Sequence, residues 1–195
     1  MMARSASSGW RLLSALALIC GSPQLVSGHE IESDRLTIIM REPQHLSLTF
    51  RVDEVALMGH LLAPTAAPTE FVLSMAAMSD EAFSSAVKQA RRAFEARVKL
   101  TDQTGSPLQL RQWRWTSQDL LRAEFRERVM DSIASGGNAG HHFISEINAD
   151  AVGTTPISAV NVGLPEPMTG IVVIAYRPMQ FGYDAKRHPA LRIEF

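Results

Sequence analysis

Alternation of apolar and polar residues predicts a β-hairpin near the start of the folded region. Apolar side chains occupy every second position over 36–40 and again over 46–52. Between these runs, Glu42-Pro43-Gln44 interrupts the pattern with residues typical of a turn. Because side chains alternate between the two faces of a strand, we expect two antiparallel strands that share one buried face.

A spacing of three or four residues between apolar positions predicts two amphipathic helices. Ser79, followed by Asp80-Glu81, is typical of a helix start, and this first helix should run from Asp80 to Arg97. Thr116, with an acid three residues later, should cap the second helix. The predicted buried stripes are Phe83, Val87, Ala90 and Phe94 in the first helix, and Leu121, Phe125, Val129 and Ile133 in the second.

Further apolar runs complete a predicted α+β domain. Positions 53–62 suggest a short helical or irregular turn, and the Gly-rich stretch 135–140 suggests a surface loop. Strands are expected over 71–75, a hairpin over 98–101 and 108–115, and strands over 143–151, 157–164, 171–176 and 191–195. The run 171–176 is apolar enough to be central in a sheet. We therefore expect an antiparallel sheet or sandwich of about eight strands with the two helices packed on one face.

The first 28 residues have the features of an export signal. Arg4 and Arg11 form a basic start, 12–20 form a short apolar core, and Val26-Ser27-Gly28 supplies the small residues that precede a cleavage site. Cleavage there leaves 29–195 as a single soluble domain that is periplasmic or secreted. A lipid anchor on Cys20 is the alternative, but Ile19 stands where a lipoprotein signal needs a small residue.

Cysteine content and charge narrow the possible functions. Cys20 is the only cysteine, so the mature chain should hold neither disulfides nor a thiolate metal site. Removal of two arginines with the signal changes the net charge from −1 to −3. A net charge of −3 does not attract nucleic acid, and the sequence contains no extended stripe of Lys and Arg residues interleaved with aromatic residues. No segment reaches the length of about 20 apolar residues that a membrane-spanning helix needs.

A metal site is the first functional hypothesis. After cleavage, His29 would present both its imidazole and a free backbone amine, which are ligands that copper and nickel favour. His141 and His142 follow the Gly-rich stretch and are the other candidate ligands. His45 and His60 are further candidates. No paired-histidine motif fixes two ligands on one element, so distant segments would have to converge. Solvated surface histidines are the alternative interpretation.

An alanine inserted before His29 tests this hypothesis. The insertion removes the backbone amine from beside the imidazole, so tight copper binding should be lost if the two groups chelate together. Titration of the mature protein with copper, followed by metal analysis, measures the change. Identical titration curves for the two proteins would exclude the amine as a ligand.

Two neighbouring tryptophans suggest an interaction surface. Trp113 and Trp115 lie on one face of the predicted strand and could stack on the apolar face of a sugar or of a protein partner. Burial is the alternative, and Leu108 and Leu110 share that face only if a bulge near Gln112 shifts the register. No recognisable nucleophile or phosphate-binding motif is present, so we expect binding without catalysis, and an enzyme with no recognisable motif is the third and least supported hypothesis.

The segment Gly28-His29-Glu30-Ile31 resembles the mature start of exported proteobacterial proteins, among them the periplasmic ectodomains of hydrogenase/urease accessory proteins of the HupE/UreJ type. The strand-turn-strand over 36–52 and Leu164-Pro165 are compatible with such a β-rich domain. The resemblance implies nickel handling, with His29 as the residue to suspect. It does not carry over a permease function, since no membrane-spanning run is present.

The sequence therefore predicts an exported binding or accessory protein that handles copper or nickel. The alternative is a protein-interaction or envelope-assembly module without a metal, which would use an exposed strand edge or the Trp113/Trp115 face. A membrane or periplasmic protein is the expected partner in either case.

Overall fold

The computed structural model describes residues 34–134, 143–168 and 170–178. They form seven strands, four α-helices and one short 3-10 turn at Glu166–Met168. In chain order the elements are β1 (Arg35–Glu42), β2 (His45–Val52), α1 (Glu54–Leu62), α2 (Pro68–Ala76), α3 (Asp80–Arg97), β3 (Lys99–Asp102), β4 (Gln109–Arg114), α4 (Gln118–Ala134), β5 (Ser145–Val152), β6 (Val160–Gly163) and β7 (Val172–Tyr176).

The strands form two sheets. Five strands make one sheet in the order β4-β5-β2-β1-β7, and β3 pairs with β6 in the other. β7 runs parallel to β1, whereas the other described strand pairs are antiparallel. The α+β class is confirmed, but a wholly antiparallel sheet of about eight strands with two helices fits only roughly. The chain leaves the large sheet to form β6 and returns beside β1 in the same direction, which makes the large sheet mixed.

The first hairpin forms as predicted. β1 and β2 pair with Leu36 opposite Phe50 and Ile38 opposite Leu48, and all four side chains are buried. These residues belong to a sheet cluster that also contains Leu57 and Phe94 from the helices. A second cluster lies among the helices around Phe125. Within the described residues, no helix is long and apolar enough to cross a membrane.

The two predicted helices form, but the cap and part of the buried stripe that we predicted for α4 are wrong. The Ser79 hydroxyl accepts a hydrogen bond from the Ala82 amide at 3.3 Å, and α3 spans the predicted residues. α4 is capped by Ser117, not Thr116, since the Leu120 amide donates to the Ser117 hydroxyl at 3.2 Å. The predicted buried stripe of α4 is wrong in its second half, because Val129 is only half-buried and Ile133 is 71 % exposed. Phe125, two helical turns before Ile133, packs against Phe71 and Phe83. The buried stripe of α4 ends near this contact.

The strand predicted over 71–75 is wrong, because these residues lie in helix α2. Pro68 occupies the first turn of α2, where a missing amide hydrogen costs nothing. Phe71 and Met75 are buried four residues apart, whereas Leu73 is half exposed. A short continuous apolar run fits a buried strand and a buried helix face equally well, so periodicity could not separate them.

The hairpin predicted over 98–101 and 108–115 forms only next to its turn, where Thr101 and Pro107 make an isolated antiparallel bridge. β3 pairs with β6 and β4 pairs with β5, although the Leu108 amide still donates to the Leu100 carbonyl at 2.8 Å. Beyond Leu108 the two segments separate, and β3 and β4 belong to different sheets. A φ of 55° at Gln112 and a register shift in β4 mark a bulge there, which is the condition for Leu110 and Trp113 to share a face.

The position of β7 differs from the prediction. The run 171–176 was expected at the centre of a sheet, but β7 pairs only with β1 and forms an edge among the described strands. Hydrophobicity alone does not fix strand order, because pairing depends on where the chain enters the sheet. The loop predicted over 135–140 and the strand predicted over 191–195 lie outside the described residues.

Candidate binding groove

β7 is an apolar strand whose side chains are exposed on both faces. Val172, Val173, Ile174 and Tyr176 are 43 %, 48 %, 40 % and 50 % exposed, respectively. The strand contains no charged residue and no proline, the residues that natural proteins use to protect an edge. An exposed apolar strand of this kind marks either an interaction site or an aggregation hazard.

The backbone of β7 also presents unpaired groups at its outer edge. The Val172 amide donates to the Asp34 carbonyl at 3.0 Å, so Val172 points its polar backbone groups towards β1. Successive residues of a strand direct these groups to opposite edges. Val173 and Ala175 therefore point their amides and carbonyls away from β1, where the described chain holds no further strand.

A groove of about 280 Å³ lies beside the same residues. Val173 and Ala175 are in register with Leu36 and Ile38, so their side chains share the inward face of the sheet. Three strands supply most of the lining: Ile38 and Met40 from β1, Val160 and Val162 from β6, and Val173 and Ala175 from β7. No charged side chain belongs to the described lining, and hydroxyls come from Ser158 and Tyr176. The groove is therefore suited to apolar side chains.

A smaller cavity of about 130 Å³ lies between α1 and α2. Arg128 reaches its wall, where the guanidinium donates two hydrogen bonds to Asp53 at 2.9 Å and one to Glu124 at 2.7 Å. Burial lowers the pKa of Arg128, but the hydrogen bonds and charges of Asp53 and Glu124 outweigh burial and raise it. Two carboxylates already neutralise this cation, so Arg128 links α1 to α4 and is not positioned to attract an anion.

His29, His141 and His142 lie outside the described residues, so the copper or nickel site stays a prediction. His45, on β2, lies 3.2 Å from the Asp150 carboxylate, and His60 lies in the last turn of α1. Residues 34–134, 143–168 and 170–178 contain no group of three or more side chains suited to hold a metal ion.

The two tryptophans pack against the core and are partly buried. Trp113 stacks on Phe50 with ring centroids 5.9 Å apart, and Phe94 meets both indoles edge to face. The Trp115 indole nitrogen donates to Glu95 at 2.9 Å. Both indoles are half-buried against the sheet cluster, so burial, the alternative interpretation of this pair, is confirmed in part.

Sequence reasoning did not identify the groove, because its walls come from three strands that are far apart in the chain. The one available signal was the uncharged run Val172–Tyr176, which we assigned to a sheet centre. The resemblance to HupE/UreJ-type ectodomains stays a prediction based on the residues around His29. Comparisons of the chain with protein-family models, with curated proteins and with solved structures find no match.

Proposed function

We propose that this chain is a protein-interaction module that binds an extended apolar segment of a partner by strand addition along β7. The observation that carries the proposal is the exposure of β7, an uncharged strand beside an apolar groove. Strand addition uses main-chain hydrogen bonds for affinity and pockets for alternate side chains for specificity. The outward backbone groups of Val173 and Ala175 supply the first requirement, and the groove supplies the second.

The partner segment needs apolar side chains at alternate positions. Residues of an added strand would point alternately into the groove and away from it. The groove-facing residues should be apolar and of moderate size, since the described lining offers no charge to pair with a polar side chain. The residues between them are free to be polar.

The expected affinity is modest. Complete burial of a Val or Ile side chain contributes about 1.5–3 kcal/mol, so covering half-exposed ones contributes roughly 1 kcal/mol each. Four such side chains on β7 give roughly 4 kcal/mol before the loss of translational freedom and the ordering of the peptide are subtracted. Main-chain hydrogen bonds and the groove must supply the rest, and the interaction should be reversible.

The predicted export signal at 1–28 suggests where this interaction takes place. An exported interaction module would meet extended segments of periplasmic or membrane proteins, in agreement with the envelope-assembly alternative. We therefore propose the periplasm as its location and an envelope protein as its partner.

The substitution Ala175→Pro tests strand addition at β7 without removing a hydrogen bond between β7 and β1. Proline removes the outward amide hydrogen of residue 175, and an edge strand tolerates proline where its amide faces away from the sheet. We expect binding of a soluble synthetic peptide that alternates valine with threonine between lysine ends to weaken at least about tenfold, the equivalent of roughly 1.4 kcal/mol. Fluorescence anisotropy of the dye-labelled peptide measures the affinity.

Ala175→Ser is the matched control, because serine is similar in size and keeps the amide hydrogen. Amide exchange supplies a second readout: the peptide should slow exchange at Val173 and Ala175 and leave Val172, which already donates to Asp34, unchanged. Circular dichroism checks that the variants are folded. Equal peptide affinity of folded Ala175→Pro and Ala175→Ser would rule out strand addition at this edge.

A further inference from the structure

We infer that the β7 strands of two copies of this chain pair with each other, so that two large sheets join edge to edge across a two-fold axis at Ile174. The inference rests on the proposed function only for the choice of edge, and it adds an occupant that a partner segment has to displace. Every group that forms the pair belongs to the described strand Val172–Tyr176.

The two edges of the five-stranded sheet differ in their protection against pairing. Among the described strands, β4 forms the edge opposite to β7. β4 carries Arg111 and Arg114, and the register shift beside Gln112 interrupts it. Charges and bulges protect an edge, whereas β7 has no charge and pairs with β1 without a register shift. A second copy therefore meets β7 more favourably with its own β7 than with its β4.

The outward backbone groups of β7 are arranged symmetrically about its middle residue. Val173 and Ala175 direct their amides and carbonyls away from β1, and Ile174 lies between them. In an antiparallel pair centred on Ile174, Val173 of each copy lies opposite Ala175 of the other, and the two residues exchange both main-chain hydrogen bonds. Two-fold symmetry closes this arrangement, because it uses the open edge of both copies and leaves none for a third.

The side chains of β7 also match those of a second copy. In this register the half-exposed Ile174 lies opposite Ile174 of the second copy, and Val172 lies opposite Tyr176. Apolar and aromatic cross-strand pairs of this kind stabilise a sheet. Val173 and Ala175 of the second copy point towards the groove, whose uncharged lining suits small apolar side chains. Because the strand carries no charge, two identical strands meet without repulsion.

The dimer is weak because the paired surface is small. Stable interfaces bury roughly 800 Å² on each partner, and one five-residue strand supplies only part of that area. Such a pair forms at high protein concentration and dissociates on dilution. Self-pairing therefore protects β7 when the protein is abundant and no partner is bound, and a partner segment can replace the second copy.

Disulfide trapping in the full chain tests this register. Cys20 is first replaced by serine, so that one introduced cysteine is the only thiol. Residues opposite each other at a non-hydrogen-bonded position have Cα atoms about 4.5 Å apart, within the range of a disulfide. We therefore expect Ile174→Cys to form a disulfide-linked dimer under mild oxidation. The matched control Val172→Cys is similarly exposed, but its counterpart in the second copy lies about 13 Å away along the strand, so it should yield at least about tenfold less dimer.

Sedimentation of the chain without an introduced cysteine supplies an independent measurement. Its average mass should rise towards that of a dimer when the protein concentration is raised roughly hundredfold. Ala175→Pro should stay monomeric, because it removes the amide hydrogen that residue 175 donates to the second copy, whereas Ala175→Ser should dimerise like the parent chain. A parent chain that stays monomeric, or equal disulfide yields from Ile174→Cys and Val172→Cys, overturns the inference.

Peptide binding separates this inference from the proposed function. The valine/threonine peptide should lower the disulfide yield of Ile174→Cys in proportion to its saturation of β7, since peptide and second copy compete for one edge. Peptide binding by a parent chain that forms no dimer contradicts the inference while strand addition of a partner stands. Dimers trapped preferentially through Ile174→Cys, in a chain that binds no peptide, support the inference and contradict the proposed function.

Discussion

Replacement of Arg91 by leucine should lower the free energy of unfolding by about 3–5 kcal/mol, because it leaves the buried Glu54 carboxylate without its cation. The Arg91 guanidinium donates to Glu54 at 3.0 Å and to the Thr116 carbonyl at 2.6 Å. The Glu54 side chain is only 1 % exposed, and its second oxygen has no hydrogen-bond partner among the described residues. Arg91 also lies over the Trp115 ring at 5.2 Å. Urea denaturation followed by tryptophan fluorescence measures the loss.

Arg92→Leu is the matched control for this prediction. Arg92 is the next residue of α3 and is exposed, so the same substitution should change stability by no more than about 0.5 kcal/mol. Leucine preserves helix propensity at both positions, so the difference between the two variants reports the contacts that Arg91 makes with Glu54, Thr116 and Trp115. The double variant Glu54→Leu/Arg91→Leu should recover part of the loss, since it no longer buries an unpaired charge. Similar destabilisation by Arg91→Leu and Arg92→Leu would contradict the assigned role.

The sequence predicted the elements whose stability depends on local periodicity and capping. The β1–β2 hairpin and α3 both formed where alternation, helical spacing and the Ser79 cap placed them. In α3, four apolar residues at helical spacing all became buried. Such patterns are informative because one contiguous segment presents its whole buried face to the core.

The predictions that were wrong depend on contacts between distant segments, which the sequence of a single segment does not reveal. Residues 71–75 have an apolar run too short to distinguish a strand from a helix. β3 and β4 are neighbours in sequence, yet each takes its strand partner from beyond α4. Ile133 extends the helical spacing of α4 past the packing contacts at Phe125. In each case, tertiary packing decided the outcome.

The candidate groove could not be predicted for the same reason. Its lining unites Ile38 with Val160 and Val173, and only the fold brings these positions together. The exposed strand edge was predicted as a type of interaction surface, but its location was not. The predicted ligands His29, His141 and His142 stay a separate hypothesis, which the insertion before His29 tests directly.

Phe94→Ala should be about as destabilising as Arg91→Leu, with an expected loss of about 3–5 kcal/mol. Phe94 is fully buried, and its ring contacts Phe50 at 5.4 Å, Trp115 at 5.5 Å and Trp113 at 5.8 Å between centroids. Truncation removes the ring and leaves a cavity among three aromatic groups that cannot all collapse into it. Chemical denaturation measures the change, and Phe94→Leu should lose less because its smaller cavity costs less.

The same variant should not change peptide binding at β7, provided that it is measured where the protein is folded. Phe94 packs against Phe50 of β2 and the tryptophans at the β4 side, whereas β7 lies at the opposite edge of the five-stranded sheet. Sites without shared contacts usually contribute independently to stability and binding. A loss of peptide affinity in folded Phe94→Ala would show that the groove depends on the aromatic cluster. Unchanged affinity would show that the aromatic core stabilises the sheet independently of the β7 edge, where we propose that the partner binds.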